Sequence, residues 1–280
     1  MRGHAVTRLN AALAAGFIVA LGVSVGAMAQ TAPGPRITLP PPADWAALAK
    51  LPDWSGLWFP DIRDQTARIR TDRPPWNAKA AAVVARATQE EIDGHPRTPF
   101  TNCLPMGMPS WMLINHNPME ILFTPGRVTM LGDSDGGRLR RIYTDGRAHP
   151  EDPDLTFHGH SVGYWEGDTL VVDTVGVLPE AWLAISEAVA VPVNGEVHII
   201  ERIHLAGPDI LKDELEITAP AILTGPWKTE RISHRERDRR FEIVEGSCLQ
   251  GAFSESHDKD GFAVFAPIEV KDGNATTRHD

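Results

Sequence analysis

The chain has 280 residues, 42% of them hydrophobic, and a formal net charge of −10. That length and apolar content suffice for a sizeable core without metals or many disulfides, and suit one large β domain or two small ones. The acidic balance argues against nucleic acid or an anionic membrane surface as a partner.

Residues 1–29 read as a secretory leader. Arg2 and Arg8 form a basic start, Ala11 to Gly26 an apolar middle, and Ala27-Met28-Ala29 a small-residue cleavage signal before Gln30. The apolar run is short and Gly-rich for a membrane span, and no later segment approaches spanning length. The expectation is therefore a periplasmic or secreted protein with no span after cleavage. Residues 30–52 read as a Pro-rich linker, on the run Thr31 to Ala43. A single β-barrel domain is expected over 53–253, with a helical insertion over 77–91 and a C-terminal tail over 254–280. The Ala-rich run Asn77 to Glu91 is the clearest helix, stopped by Gly94 and Pro96. Cys103 and Cys248 form an even pair, which in an oxidising compartment reads as a disulfide closing a loop of about 146 residues. Two buried free thiols are the alternative, and neither sits in a nucleophile motif.

From Pro118 onward the pattern becomes one of short strands. "MEILF", "RVTML", "RLRRIY", "EVHIIERIHL", "ILKDELEIT", "WKTERISHRER" and "RFEIVEG" each alternate partly and end in Gly, Pro, Asp or Asn. With the hairpin "FHGHSVGYWEGDTLVVDT" this gives about nine or ten strands. The expected fold is mainly β, an antiparallel meander closed as a lipocalin-like barrel with long N-terminal loops. Leu178 to Val189 is read as a short helix or a loop crossing the barrel mouth. No Rossmann or P-loop fingerprint is present, and no cofactor is expected.

The hairpin carries the candidate chemistry. With Glu166-Gly167 as its turn, Trp165 would face Asp168 and His160 would face Asp173; a three-residue turn would shift the pairing by one and set His160 opposite Thr174. His158, His160, Val162, Tyr164, Val171 and Asp173 would share one face, and Ser161, Gly163, Trp165, Leu170 and Val172 the other. An aspartate opposite a histidine fixes its tautomer and raises its basicity, as a general base requires. A structural His–Asp pair is the alternative. His158 and His160 could instead ligate a metal, with Glu201, His204 or His234 as third ligand. In "EVHIIERIHL" one face carries Glu201 and the other Arg202, so either inward face brings an ionisable group with it. Glu166 and Asp168 are read as turn residues.

"GHSVGYWEGDTLVVDTVG", with "RRIYTDGRAHPEDPD" before it and "ERI" and "GPW" after it, resembles the pattern of a large family of secreted bacterial proteins, over roughly Asn102 to Cys248. The resemblance implies a β-barrel domain and carries over no reaction. The chain departs from the family pattern at Val177, where an aromatic is usual, and at "GSCLQ". Gly56-Leu57-Trp58 is similar to the G-x-W of lipocalin-like (calycin) barrels, which implies a Trp plugging the closed end and a cavity for one small ligand. The functional expectation is cofactor-free acid–base chemistry, as a lyase, isomerase or hydrolase, on a small partly apolar molecule. His160 would be the base, oriented by Asp173. Tyr164 and His158 would bind or donate a proton, and Glu201, Arg202 and Trp165 would bind substrate. A non-catalytic lipocalin-like binding protein is the first alternative, and a metal-dependent enzyme using His158 and His160 the second.

Overall fold

The structure, a computed structural model, describes residues 45–96, 104–132, 139–243, 253–257 and 263–267. The expected leader, most of the Pro-rich linker, and Cys103 and Cys248 lie outside the described residues.

Nine strands close a barrel. They are β1 (Gly56–Pro60), β2 (Met119–Thr124), β3 (Arg127–Gly132), β4 (Leu139–Tyr143), β5 (His160–Glu166), β6 (Thr169–Val175), β9 (His198–Gly207), β10 (Ile210–Thr218) and β11 (Trp227–Glu236). Their order around the barrel is β1-β11-β10-β9-β6-β5-β4-β3-β2, with β2 returning to β1. The mainly-β closed barrel is thus as expected, with one departure from a pure meander. β4 and β5 run parallel and share only two residue pairs, Ile142–Ser161 and Tyr143–Val162. A parallel pair needs a long crossover, and residues 144–159 supply it as an irregular, Pro-interrupted loop.

Alternation fixes which side chains enter the barrel. Leu211, Asp213, Leu215 and Ile217 of β10 are buried while Lys212, Glu214 and Glu216 between them are not. One end is closed by aromatics. Trp58 of β1 is fully buried and donates its indole N–H to the Trp54 carbonyl at 2.8 Å. Arg235, its cross-strand partner on β11, lies over the Trp58 ring at 4.6 Å and donates to the Ser55 and Asp53 carbonyls. Trp54 packs edge-on against Trp165 and Phe123 at 5.2 and 6.1 Å.

Two further segments join the same core. One contains the short helix α4 (Ser110–Leu113). The other is a hairpin of β7 (Trp182–Ala184) and β8 (Ala190–Pro192), found where a short helix or mouth-crossing loop was expected. The Ser110 hydroxyl joins them, donating to the Trp182 carbonyl and accepting from the Ala184 amide at 2.8 Å.

The helix expected over 77–91 is α3 (Ala78–Ile92), with Asn77 as N-cap accepting from the Ala80 amide. Its buried Ala80 and Ala87 explain the Ala-rich composition. A second helix, α2 (Ile62–Thr71), is capped by Asp61 and was not read from the sequence. α1 (Trp45–Leu48) is a single turn within the expected linker. "RFEIVEG" was expected as a strand, yet Phe241–Ile243 are not in one. The chain turns first, where Asp238 accepts from the Arg240 amide. β12 (Phe253–His257) and β13 (Ala263–Pro267) pair as a separate hairpin within the expected tail. No helix among the described residues is long and apolar enough to cross a membrane.

Truncating Trp58 removes the ring on which both Arg235 and the Trp54 carbonyl are seated. Trp58→Ala is expected to lower stability by about 3–5 kcal/mol, read as a lower denaturant midpoint. A change under about 1 kcal/mol would mean that the end is closed by other contacts.

Candidate functional site

The short β4–β5 ladder leaves a lateral opening. A cleft of about 740 Å³ lies there, with Arg141, Tyr143, Phe157, His158 and His160 among its walls. That volume falls in the range of small-molecule sites.

The hairpin that forms one side differs from the expected register. The loop is Gly167-Asp168, so Glu166 pairs with Thr169, Val162 with Asp173, and His160 with Val175. The physical reason is Gly167 at φ 60°, since a two-residue turn of this kind needs its glycine in the first loop position. The shift is by two residues, so the faces survive. His160, Tyr164 and Asp173 point outward; Ser161, Trp165 and Thr174 point inward. His158 does not share the His160 face. Gly159 between them has φ 68°, and a Cβ there would come within 2.6 Å of the Val175 carbonyl. The His158 ring therefore packs edge-on against buried Trp111 at 5.1 Å, while His160 stacks on Tyr143 at 5.4 Å.

His160 does not meet Asp173 directly. His149, from the 144–159 crossover, stands between them. Its Nδ1 lies 2.8 Å from His160 Nδ1, and its Nε2 lies 3.5 Å from Asp173 Oδ1, an electrostatic contact rather than a hydrogen bond. Asp173 Oδ1 also accepts from His198 Nε2 at 2.8 Å. Arg147 lies over the Tyr143 ring at 4.0 Å and is bound by Asp145, whose carboxyl it holds below the ordinary range. Burial, then His149 and then Arg147 push His160 below its ordinary value, so it is neutral at pH 7.

The inner faces of the same strands carry a polar belt. Arg140 (1% exposed) and Glu201 (0%) form a two-pronged ion pair with one contact at 2.8 Å. Arg140 also donates to Thr174 at 2.9 Å and to Ser161 at 3.3 Å. Asp213, 4% exposed, sits diagonally from Glu201 on the adjacent strand. Neither of its oxygens has a donor among the described residues. Burial, and then the Glu201 carboxylate, raise Asp213 well above the carboxylate range, and the retained proton gives it a bond to offer Glu201. Arg231, opposite Asp213 on β11, donates to the Leu113 carbonyl at 2.6 Å and is pushed down to about 10, first by burial. A cavity of about 20 Å³ adjoins Asp213 and Arg231, the size of a single water.

Of the residues read as candidates, His158 and His160 border the cleft, and Asp173 reaches His160 through His149. Tyr164 is 57% exposed and lies four residues along β5 from His160, roughly 13 Å away. Three expected substrate-binding residues serve elsewhere. Glu201 is sealed inside the barrel, Arg202 pairs outside with Glu166 at 2.8 Å, and Trp165 packs at the closed end. Of the suggested third metal ligands, Glu201 is inside and His234 pairs with Asp61 at 2.9 Å. His204 is on the outward face of β9. Among the described residues no three His, Cys, Asp or Glu side chains are grouped to hold a metal. Sequence reasoning missed Arg140, Tyr143, His149, His198 and Asp213. Asp213 had a signal, an acid on the apolar stripe Leu211-Leu215-Ile217; His149, on an irregular loop, had no periodicity to mark it, only its place in "RRIYTDGRAHPEDPD". No family model matches the chain, and no curated protein does, so the functional reading rests on geometry.

Removing Arg140 leaves Glu201 buried without a counter-charge. Arg140→Met is expected to cost about 3–5 kcal/mol, most of it recovered in the double variant Arg140→Met/Glu201→Leu. A double variant no better than the single would show that the pair is not coupled. Asp213 has the opposite pH signature to an ordinary carboxylate. Its raised folded pKa makes its stabilising contribution complete below the unfolded value of about 3.9, and lost as pH rises through the folded value. The melting temperature of Asp213→Asn should therefore gain on the wild type as pH rises from about 4. A wild type that instead gains on Asp213→Asn as pH rises would show that the carboxyl is ionised in the fold.

Proposed function

We propose that the protein is an exported β-barrel enzyme carrying out cofactor-free acid–base chemistry on a small, partly apolar molecule at the lateral cleft. The single observation that carries this is the chain Asp173–His149–His160 ending at the cleft wall. A carboxylate beside His149 Nε2 favours the proton on that nitrogen, which leaves Nδ1 to accept. His160 then donates from its own Nδ1, and its Nε2 lone pair is the remaining basic site. A proton taken from substrate or water by Nε2 gives an imidazolium whose Nδ1–H stays bonded to His149 Nδ1. The reaction class within lyases, isomerases and hydrolases follows from the substrate, and the leader read at 1–29 supports a periplasmic or secreted location.

A non-catalytic binding role is the second reading, favoured by the cleft volume alone. It would use the cleft rather than the barrel interior. The inward groups of the central belt are packed against one another, and the cavity beside Asp213 is only about 20 Å³.

Nitrogen NMR of the histidine rings separates the two without a known substrate. The acid–base reading expects His160 as the Nδ1–H tautomer at pH 7.5, titrating below 6.5. An Nε2–H tautomer, or a titration above 6.5, would remove His160 as the base. Arg147→Gln should move the titration upward, because a cation that opposes protonation is lost. With a turned-over substrate in hand, His160→Ala is expected to reduce kcat by roughly 10²–10⁴. The loss of kcat/KM with falling pH should track the His160 titration, since only the neutral ring accepts a proton.

A further inference from the structure

We propose that the cleft selects a small monoanionic carboxylate with an apolar body, held through Arg141. The inference rests on the reading of the cleft as a small-molecule site and names the class of molecule it takes.

Arg141 is exposed on the outer face of β4, opposite Thr129 of β3, and lines the cleft. The cations beside it are already committed, Arg140 to Glu201 inside the barrel and Arg147 to Asp145 on the crossover. Arg141 has no ion pair or hydrogen bond among the described residues. The β4–β5 ladder ends at Ile142–Ser161. One further step would have set Arg141 beside His160 on the same outward face. Because the ladder stops, the two side chains flank the opening instead of packing together.

A guanidinium matches a carboxylate with two parallel hydrogen bonds. One uncommitted cation, with Asp154 among the same walls, suits a single negative charge better than a phosphate dianion. The rest of the wall is partly apolar. Leu139 is exposed, and Phe157 and Pro105 line the same cleft. A protein of net charge −10 does not gather anions by its overall field. Carboxylate binding must therefore come from a local cation. A carboxylate seated on Arg141 lays the body of the molecule across the cleft toward His160.

The test is calorimetric titration of the purified protein with acetate, hexanoate, benzoate and phenylacetate, each against its own amide, and with phenyl phosphate. Expected is saturable binding of at least one of the larger acids, about tenfold or more tighter than its amide. Arg141→Gln should erase that preference without changing the melting temperature, and Arg141→Lys should restore part of it. Equal binding of acid and amide, an unchanged preference in Arg141→Gln, tighter binding of phenyl phosphate, or no binding of any acid would each overturn the proposal. His160→Ala should keep the preference of acid over amide, because that preference belongs to Arg141. Retained binding with unaltered turnover in that variant would sink the base assignment and leave the carboxylate site standing.

Discussion

The barrel depends on the ion pair between Arg140 and Glu201. Its weakest seam is the parallel junction of β4 and β5, where only two residue pairs hold the strands. Arg140 comes from one side of that seam. From inside, it donates to Ser161 on β5, Thr174 on β6 and Glu201 on β9. One guanidinium thus ties together four strands that the backbone ladder joins thinly at one point. Taking two charges out of water costs several kcal/mol each unless geometry and extra hydrogen bonds offset it. The two hydroxyls and the two-pronged contact are that offset. Asp213 completes the belt, its carboxyl pushed well above the ordinary range first by burial and then by the Glu201 carboxylate.

Much of the scaffold was legible because it follows periodicity. Strands β2, β3, β9, β10 and β11 and helix α3 announce themselves by alternation, by turn residues and by a run of alanines ended by glycine. The faces of β5 and β6 were also legible, since a side-chain period of two survives an error of two in register. The pairing was not, because Gly167 can take either place in a two-residue loop; a Glu166-Gly167 loop of the I′ kind would need positive φ at Glu166 as well, whereas Gly167-Asp168 puts it on glycine alone. The parallel junction was hidden for a different reason. Nothing in "RLRRIY" or "GHSVGY" states which neighbour each will choose; the length of the 144–159 connection permits the crossover without demanding it.

The site was legible to the extent that it lies on strands. His160 and Asp173 are strand residues and appeared together on one face. His149 reaches the same spot from a loop whose path is set by tertiary contacts, and His198 from a strand two places further on in the chain order of hairpins. Trp165, read as part of a binding surface, belongs instead to the aromatic cluster under Trp54. It points inward, but the inward side there is a closed end rather than a cavity.

The belt and the cleft are two sides of the same few residues. Arg140 points in and Arg141 out; Ser161 in and His160 out; Thr174 in and Asp173 out. Arg141, His160 and Asp173 are therefore each one residue from an anchor in the belt. A register slip of one would exchange the two sets, burying the cleft groups and exposing the anchors. For stability alone, well-packed apolar residues would serve the interior at least as well as a buried ion pair. What the polar belt adds is discrimination. Its hydrogen bonds are satisfied in one register only, and that register is the one that holds His160 and Arg141 on either side of the opening.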